Sequence, residues 1–324
     1  MKITCLVALA LTAFAVPAAN AQSATDFPNA PVKILVPFAA GGPTDVVARI
    51  LGEQLFARWG GKPVVIENRP GAGTIVATAA VAKSAPDGHT LLMATNSLLI
   101  NPAISHSLPY DTAKDLAPVS MIATQPVALV ATKSFEGRTV ADVVAAAKKD
   151  PVNYTSPGPR GVGHFAGEML KQRSGIPMSN FTHINYNGSA PALTDVMAGR
   201  VPLMFDIWHS ARRHVESGAL RLVAGASAER LPGAPDVPSI NETFPGFEVM
   251  AFNAIVAQGG TPAPIIEKLS ADIRAIVASD AFLDRVKNLG INAYGNTPVE
   301  LGAWMAKEIA RWQEVARAAN IKAE

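Results

Sequence analysis

The chain has 324 residues, which is enough for two domains with sizeable hydrophobic cores. Lys and Arg number 28 against 26 Asp and Glu, and neither sign forms a long run, so composition excludes a protein that binds nucleic acid or anionic membranes through its overall charge. Selectivity for a charged ligand must therefore come from a local arrangement of residues.

The segment MKITCLVALALTAFAVPAANAQ at the start of the chain has the pattern of a secretory signal peptide. The cation Lys2 precedes an apolar run over 3–16, and the small residues Ala19 and Ala21 predict a signal peptide at 1–21. Cys5, the one cysteine, lies in this segment, so the mature chain is expected to lack disulfides, thiolate metal sites and cysteine nucleophiles. No later apolar stretch reaches the ~18 residues of a membrane span. We expect a soluble exported protein, periplasmic in a Gram-negative host.

Beyond this segment, β-rich runs alternate with helical patterns, which favours an α/β architecture with parallel sheets. In the first part the predicted elements are a strand over 32–38, a helix over 44–60, a strand at 64–67, a glycine-rich turn at 71–73, a helix over 75–83 and a strand at 89–97 that ends in polar residues. In the middle they are a strand at 127–133, a helix at 139–150 with a Thr cap, a strand, loop and helix over 152–175, and further units at 181–201, 202–208 and 220–227. One long strand is predicted over 247–260, and 262–319 is expected to be nearly all helical.

Two of these strands, near 120–130 and 249–256, are expected to cross between two α/β units. The simplest partition gives a discontinuous first domain at 27–123 and 253–324 and a second domain at 124–252.

The segment ILVPFAAGGPTDVVARIL carries the first candidate binding loop. Gly41 and Gly42 permit close approach of a ligand to the backbone, Pro43 suits the first position of a helix, and Thr44 adds a hydroxyl. A helix that starts after a strand directs unpaired N–H groups and a positive dipole end at the crevice, where an anion can bind. Asp45 can cap these amides or receive a ligand amine or water. A tight turn with ordinary capping explains the same residues, whereas a nucleotide P-loop would need a Gly-Lys-Ser/Thr ending.

A second loop of this kind is TSPGPRGVGHF at 155–165. Its candidate donors are Ser156, Gly158, Gly161 and Gly163. Arg160 can hold a carboxylate through two parallel hydrogen bonds, or else lie in solvent or pair with Glu168. His164 can donate to an anion or pack as a capping imidazole.

Weaker signals lie in ATNS at 94–97 and YNGSA at 186–190, which are polar ends of predicted strands. Asp206 follows the apolar PLMF and can orient a ligand amine, a water or the hinge, or serve structure alone. Beside it, Trp208 is expected in the core and His209 can line the cleft.

Catalytic patterns are missing from the sequence. No Gly-x-Ser-x-Gly elbow occurs, the six histidines lack metal-ligand spacing, and the predicted cleft loops hold only Asp45 and Asp206 as carboxylates. We therefore expect no catalysis, no metal and no cofactor.

Seven segments, in the same order, resemble the Bug (Bordetella uptake gene) family, the extracytoplasmic solute receptors of tripartite tricarboxylate transporters. They are VPFAAGGPTDVVAR, VVIENRPGAG, APDGHTLLMATNS, LPYDTAKDLAPVSMIA, NYTSPGPRGVGHFAGE, YNGSAPALTDVMAGRV and LPGAPDVPSINE. The resemblance covers 31–324. It implies a type II periplasmic binding protein fold, in which two α/β domains joined by crossing strands close around a ligand cleft.

The resemblance also implies that loops of both domains hold a ligand carboxylate, partly through ordered waters. Carried over by position, the implied ligand contacts are Phe38, Ala39, Gly41, Gly42, Thr44, Asp45, Asn96, Ser97, Ser156, Gly158, Arg160, Gly161, His164, Asn187, Gly188 and Asp206.

This chain departs from the family pattern at several of its loops. Thr74 and Ala77 stand where the family usually has Gly, and Arg160 and Gly161 where it has Gly and Ser or Thr. Asn187 follows Tyr186 where Lys is usual. The departures bear on ligand identity, and the guanidinium gained at 160 suggests a grip on a second carboxylate or a narrower pocket.

These observations predict a receptor that captures a small organic carboxylate by hinge closure and delivers it to a membrane transporter. We expect a monomer that binds no nucleic acid. The ligand stays open among di- and tricarboxylates, acidic amino acids and aromatic acids. Two other functions stay open: a receptor that serves a sensor-kinase ectodomain, and an exported enzyme, which would turn its ligand over.

Overall fold

The computed structural model describes residues 26–105, 107–158, 161–186, 188–287, 289–318 and 321. The predicted signal peptide at 1–21 lies outside these residues. Within them, no helix is long and apolar enough to cross a membrane.

Strands and helices alternate along most of the chain. The strands are β1 (Val32–Val36), β2 (Val64–Asn68), β3 (Thr90–Ala94), β4 (Leu116–Thr132), β5 (Val152–Ser156), β6 (Phe181–Asn185), β7 (Leu203–Ile207), β8 (Leu220–Gly225), β9 (Met250–Gln258) and β10 (Asn292–Ala293). The helices are α1 (Pro43–Arg58), α2 (Ile75–Ala82), α3 (Asn96–Ile104), α4 (Val140–Lys149), α5 (Val162–Ser174), α6 (Ser189–Met197), α7 (Trp208–Glu216), α8 (Ile240–Thr243), α9 (Ala263–Val277), α10 (Asp280–Lys287) and α11 (Pro298–Ala318). The predicted α/β fold class is confirmed.

The sheet has two parallel blocks separated by antiparallel strands. Its order is β2-β1-β3-β9-β4-β7-β5-β6, and β8 and β10 also pair with β4. β1 is parallel to β2 and β3, and β5 is parallel to β6 and β7. β9 is antiparallel to β3 and β4, and β4 is antiparallel to β7. The expectation of parallel sheets therefore holds for the outer blocks and not for the middle.

Strand β4 links the two blocks because its two halves pair with different strands. Its first part, 116–126, pairs with β9, and its last part, 127–132, pairs with β7 and β8. The sequence predicted a strand at 127–133 and a crossing strand near 120–130 but no strand before 120, since Pro118, Pro126 and Gln125 interrupt the apolar run. β-Bulges near 118–123 let the strand continue through this region.

Helices α3 and α7 were not predicted. Both begin directly after a strand, so Asn96 and Ser97 lie in the first turn of α3 and not at the end of β3, which stops at Ala94. Pro102 lies inside α3, and because proline usually ends a helix, the sequence pattern did not predict one here. The predicted core position of Trp208 is confirmed, because its side chain is buried and its Nε1–H donates to Pro232 O at 2.9 Å.

Helices cover both faces of the first parallel block. Ile34 and Val36 of β1 face a cluster formed with α1 and α9, whereas Leu35 faces one formed with α2, α3 and α11. Burial on both faces explains why the strand is a continuous apolar run. The packing fixes where α1 and α3 begin, and so positions the loops at the edge of the sheet.

Candidate anion-binding site

The carboxyl ends of the parallel strands face each other across the middle of the sheet. α1, α2 and α3 follow β1, β2 and β3, and α5, α6 and α7 follow β5, β6 and β7. Through β9, the end of β3 at Ala94 is level with Met121 of β4, while β7 runs the other way and ends at Ile207 opposite Val127. The two ends are therefore about 20 Å apart along β4, from ~3.3 Å per residue. The topology brings two sets of helix N-termini to one crevice.

Asp45 holds the loop after β1 in shape. Its Oδ2 accepts hydrogen bonds from Gly41 N–H and Arg49 Nε, both at 2.9 Å, and its Oδ1 accepts from Asn68 Nδ2 at 2.9 Å and Arg49 Nη2 at 3.0 Å. Burial raises the pKa of Asp45, but the bonds from Arg49, Gly41 and Asn68 outweigh it and hold the pKa below its usual value. The buried carboxylate is thus ionised and engaged within its own loop. Its contact with a ligand stays a prediction.

The rest of this loop offers backbone and one aromatic ring. Gly41 has a φ of 83°, a conformation that favours glycine, and α1 starts at Pro43, as predicted, with no side-chain cap among the described residues. Phe38 is 40% exposed at the rim, and Ala39 is exposed beside it. Thr44 is buried in the first turn.

Asn96 fastens the start of α3 to strand β9. Its Nδ2 donates to Met250 O at 2.9 Å and its Oδ1 accepts from Phe252 N–H at 3.2 Å, so the side chain continues the hydrogen bonding of β9 where β3 ends. Both Asn96 and Ser97 are 5% exposed. Asn96 therefore ties the first set of helix starts to a crossing strand, and its contact with a ligand stays a prediction.

Ser156 and His164 belong to a packed cluster beside α5. Ser156 Oγ donates to Gly158 O at 3.1 Å and lies 2.8 Å from Nε2 of His183, whose ring stacks on His164 with centroids 4.2 Å apart. Burial, with help from His164 and Lys171, lowers the pKa of His183 to about 3, so His183 is neutral. The hydroxyl proton of Ser156 is used inside the loop. The contacts of Ser156 and His164 with a ligand stay predictions.

Glycines let α5 and α6 start close to the strand ends. A Cβ on Gly163 would lie 2.6 Å from Phe205 O and 2.8 Å from the Cβ of Ser156, so only glycine fits there. Gly161 N–H donates to Gly158 O at 3.3 Å. Gly188, with a φ of 121°, donates its N–H to Pro157 O at 2.8 Å and so joins the two loops.

Asp206 connects the starts of α6 and α7. Its Oδ1 accepts from Ser189 Oγ at 2.9 Å and from Ile207 N–H at 2.8 Å. The residue is 1% exposed, and Oδ2 has no hydrogen-bond partner within the described ranges. Burial raises the pKa of Asp206 to about 7, against the opposing effect of the bonds from Ser189 and Ile207.

Two predicted contacts, Arg160 and Asn187, lie outside the described residues. Glu168, the alternative partner of Arg160, is itself engaged: Lys171 Nζ lies 2.7 Å from Oε2 and Tyr154 Oη donates to Oε1 at 2.8 Å.

Sequence reasoning missed several polar residues at the crevice. Asn68, which holds Asp45, stands at the turn after a predicted strand, and that position was the available signal. Ser189, which holds Asp206, lies within the YNGSA segment named above. On the crossing strands, Gln125 Nε2 donates to Asn253 Oδ1 at 2.8 Å, and each is 1% exposed. Isolated amides in otherwise apolar strands could have marked this pair.

No cluster able to hold a metal ion is present in the part of the chain that the structure describes. The site consists instead of helix starts, backbone amides and a few buried polar side chains.

Comparison with known proteins identifies the family. The model of the tripartite tricarboxylate transporter family receptor matches residues 47–321. This chain belongs to that family. Among solved structures, the Rhodopseudomonas palustris protein Rpa4515 with adipate has a TM-score of 0.84 at 32% identity, covering 92% of this chain and 99% of that one. MatC from the same organism, with bound malate, has a TM-score of 0.80 at 32% identity, covering 89% of this chain and 99% of that one.

A third structure, the periplasmic binding protein BugD, has a TM-score of 0.81 at 31% identity and covers 92% of this chain and 100% of that one. The Bug-family resemblance and the predicted periplasmic-binding-protein fold are thereby confirmed. The tripartite tricarboxylate transporter receptors are solute-binding proteins of the periplasm, which confirms the predicted receptor class.

Proposed function

We propose that this receptor binds a small dicarboxylate in the crevice between its two parallel blocks and delivers it to the membrane subunits of a tripartite tricarboxylate transporter. The observation that carries the proposal is the convergence of helix N-termini on this crevice from opposite sides. Among the described residues, no side chain caps α1, α3, α5, α6 or α7, whereas α4 and α8 have capping boxes. Uncapped N–H groups and aligned dipoles favour an anion.

The relatives support a dicarboxylate as the ligand class. Rpa4515 is described with adipate and MatC with malate, and the chain covers nearly the whole of both. Adipate and malate each carry two carboxylates, which suits a crevice with donors on both walls. Arg160 is proposed to contact the second carboxylate.

Ligand capture is proposed to proceed by hinge closure between domains at 27–123 with 253–324 and at 124–252. Support comes from β4 and β9, which run between the two blocks. The C-terminal helix adds a third link, because Trp312 of α11 lies edge-on against Phe165 of α5 with centroids 5.4 Å apart.

The receptor is proposed to be monomeric and not to alter its ligand. In support, Asp45 is tied up by its own loop, so it is poorly placed to act as a general base. Export to the periplasm is proposed from the signal-peptide pattern and the family.

Calorimetry of the mature chain with adipate, malate, citrate, glutamate and benzoate tests the ligand class. We expect the two dicarboxylates to bind with one site per monomer and to be recovered unchanged by mass spectrometry. Binding of benzoate alone would refute the ligand class, and conversion of a bound acid would indicate an enzyme. Loss of uptake of the bound acid in a deletion strain separates transport from service to a sensor kinase.

A further inference from the structure

Asp206 is an acidic residue at the site that is proposed to bind an anionic ligand. It is the last residue but one of β7, it lies beside the first residues of α6 and α7, and it is 1% exposed. Oδ1 accepts two hydrogen bonds, from Ser189 and Ile207, while Oδ2 accepts none from the described residues. A buried carboxylate with one unsatisfied oxygen is costly to ionise, and a proton on Oδ2 removes that cost.

No counter-charge balances Asp206 among the residues that the structure describes. The titratable or charged groups on the elements packed around it are Tyr154 of β5, His164, Glu168, Lys171 and Arg173 of α5, Asp195 of α6, and His209, Arg212, Arg213, His214 and Glu216 of α7. The stretch of β4 beside β7, residues 127–132, carries none. Tyr154 and Lys171 bond Glu168, Asp195 bonds Arg200, Arg212 bonds Glu216, and Arg213 donates to His214. The ionised form of Asp206 therefore lacks an ion pair within these ranges.

An anion bound at the same helix starts would repel an ionised Asp206 at low local dielectric. Like charges in one site raise the pKa of the weaker acid, so the bound ligand favours protonated Asp206. Burial already brings the pKa of Asp206 to about 7 in the unliganded protein, and a strong further rise, as for two carboxylates that share one site, keeps Asp206 protonated at pH 8.5 in the complex. Ligand binding and protonation are thermodynamically linked. Because bound ligand favours the protonated form of Asp206, the protonated form must bind the ligand more tightly, and the affinity must depend on pH.

We infer that ligand capture is proton-linked through Asp206: the receptor takes one proton from solvent onto Oδ2 as the dicarboxylate binds, and it binds more weakly as pH rises above neutrality. The inference rests on the proposed function, since it requires an anionic ligand in the crevice. It assigns to Asp206 a positioning and selectivity role, because the residue holds two helix starts and sets the pH range of capture.

Calorimetry of the wild-type protein with adipate and with malate, in two buffers of different ionisation enthalpy, measures the protons taken up. We expect about 0.2 proton per ligand at pH 6.5 and about 1 at pH 8.5, with Kd rising about twentyfold between them. Asp206→Asn keeps the shape of the side chain without its charge. In this variant we expect no uptake and a Kd that is independent of pH.

Glu216→Gln, at the far end of α7, is the matched control and should retain wild-type uptake. Binding of either acid by the wild-type protein with no proton uptake at pH 8.5 would overturn the inference and leave the proposed function intact. Proton uptake that persists in Asp206→Asn would show that another group takes the proton, and it would also overturn the inference. If neither acid binds at any pH, both proposals fail. The wild-type measurement decides the matter even if the variant does not fold.

Discussion

Gly163→Ala would test how closely the start of α5 is seated against the second parallel block. Gly163 is the second residue of α5, and an added Cβ would lie 2.6 Å from Phe205 O and 2.8 Å from the Cβ of Ser156. Both neighbours belong to strand ends and neither can rotate away. The methyl group must therefore push the first turn of α5 off β5 and β7.

The expected cost follows from these distances. Overpacking of this kind costs ~1–3 kcal/mol, and a contact with backbone places it near the upper end. Alanine in a helix recovers up to about 1 kcal/mol relative to glycine. We expect the free energy of unfolding to fall by about 2 kcal/mol. Affinity for adipate should fall as well, because the amides at the start of α5 move out of register with the crevice.

Urea unfolding followed by circular dichroism gives the stability, and calorimetry with adipate gives the affinity. The matched control is Gly302→Ala in α11, where the nearest described atom to a new Cβ, Pro118 Cγ, would lie at an ordinary contact distance of 3.5 Å. This variant should be as stable as wild type or slightly more so. Wild-type stability and affinity in Gly163→Ala would refute the close seating of α5.

Three further predictions concern buried polar groups. Burial raises the pKa of Asp206 from 3.8 to about 7, so the folded chain keeps a proton that the unfolded chain loses, and stability should fall between pH 4 and 7 by up to about 4 kcal/mol. Urea titrations should find this part of the decline missing in Asp206→Asn. Asn96→Ala leaves two backbone groups of β9 unpaired and should cost ~1–3 kcal/mol in thermal unfolding. Glu168→Ala leaves the buried Lys171 unpaired and should cost ~3–5 kcal/mol, most of it recovered when Lys171→Met is added.

Each of these predictions has a result that contradicts it. Parallel pH profiles for wild type and Asp206→Asn would mean that Asp206 has an ordinary pKa in the folded state. Unchanged melting of Asn96→Ala would show that its amide does not hold β9. A double variant no more stable than Glu168→Ala would show that the unpaired charge is not the cause of the loss.

Local sequence determined the alternating elements and the turns that expose helix starts. The helix predicted over 44–60 occurs at Pro43–Arg58, and the helix predicted at 139–150 begins after Thr139, which forms a capping box with Asp142. These features depend on residues a few positions apart, such as a proline at a first turn or a cap three residues upstream. Such local interactions stabilise a helix start in any fold that contains the segment.

Tertiary structure alone decided which polar side chains at the crevice are free and which are engaged. Asn96 meets Met250, 154 residues away, and Ser156 meets His183, 27 residues away, so neither bond can be seen in a local pattern. The full 17-residue length of strand β4 likewise depends on the strands that pair with it, since its prolines and glutamine interrupt the apolar pattern in the sequence. Burial, and with it the raised pKa of Asp206, exists only once the second block has closed around the end of β7. These hydrogen bonds, strand pairings and burial arise from contacts between segments that are distant in the sequence, so local sequence patterns do not predict them.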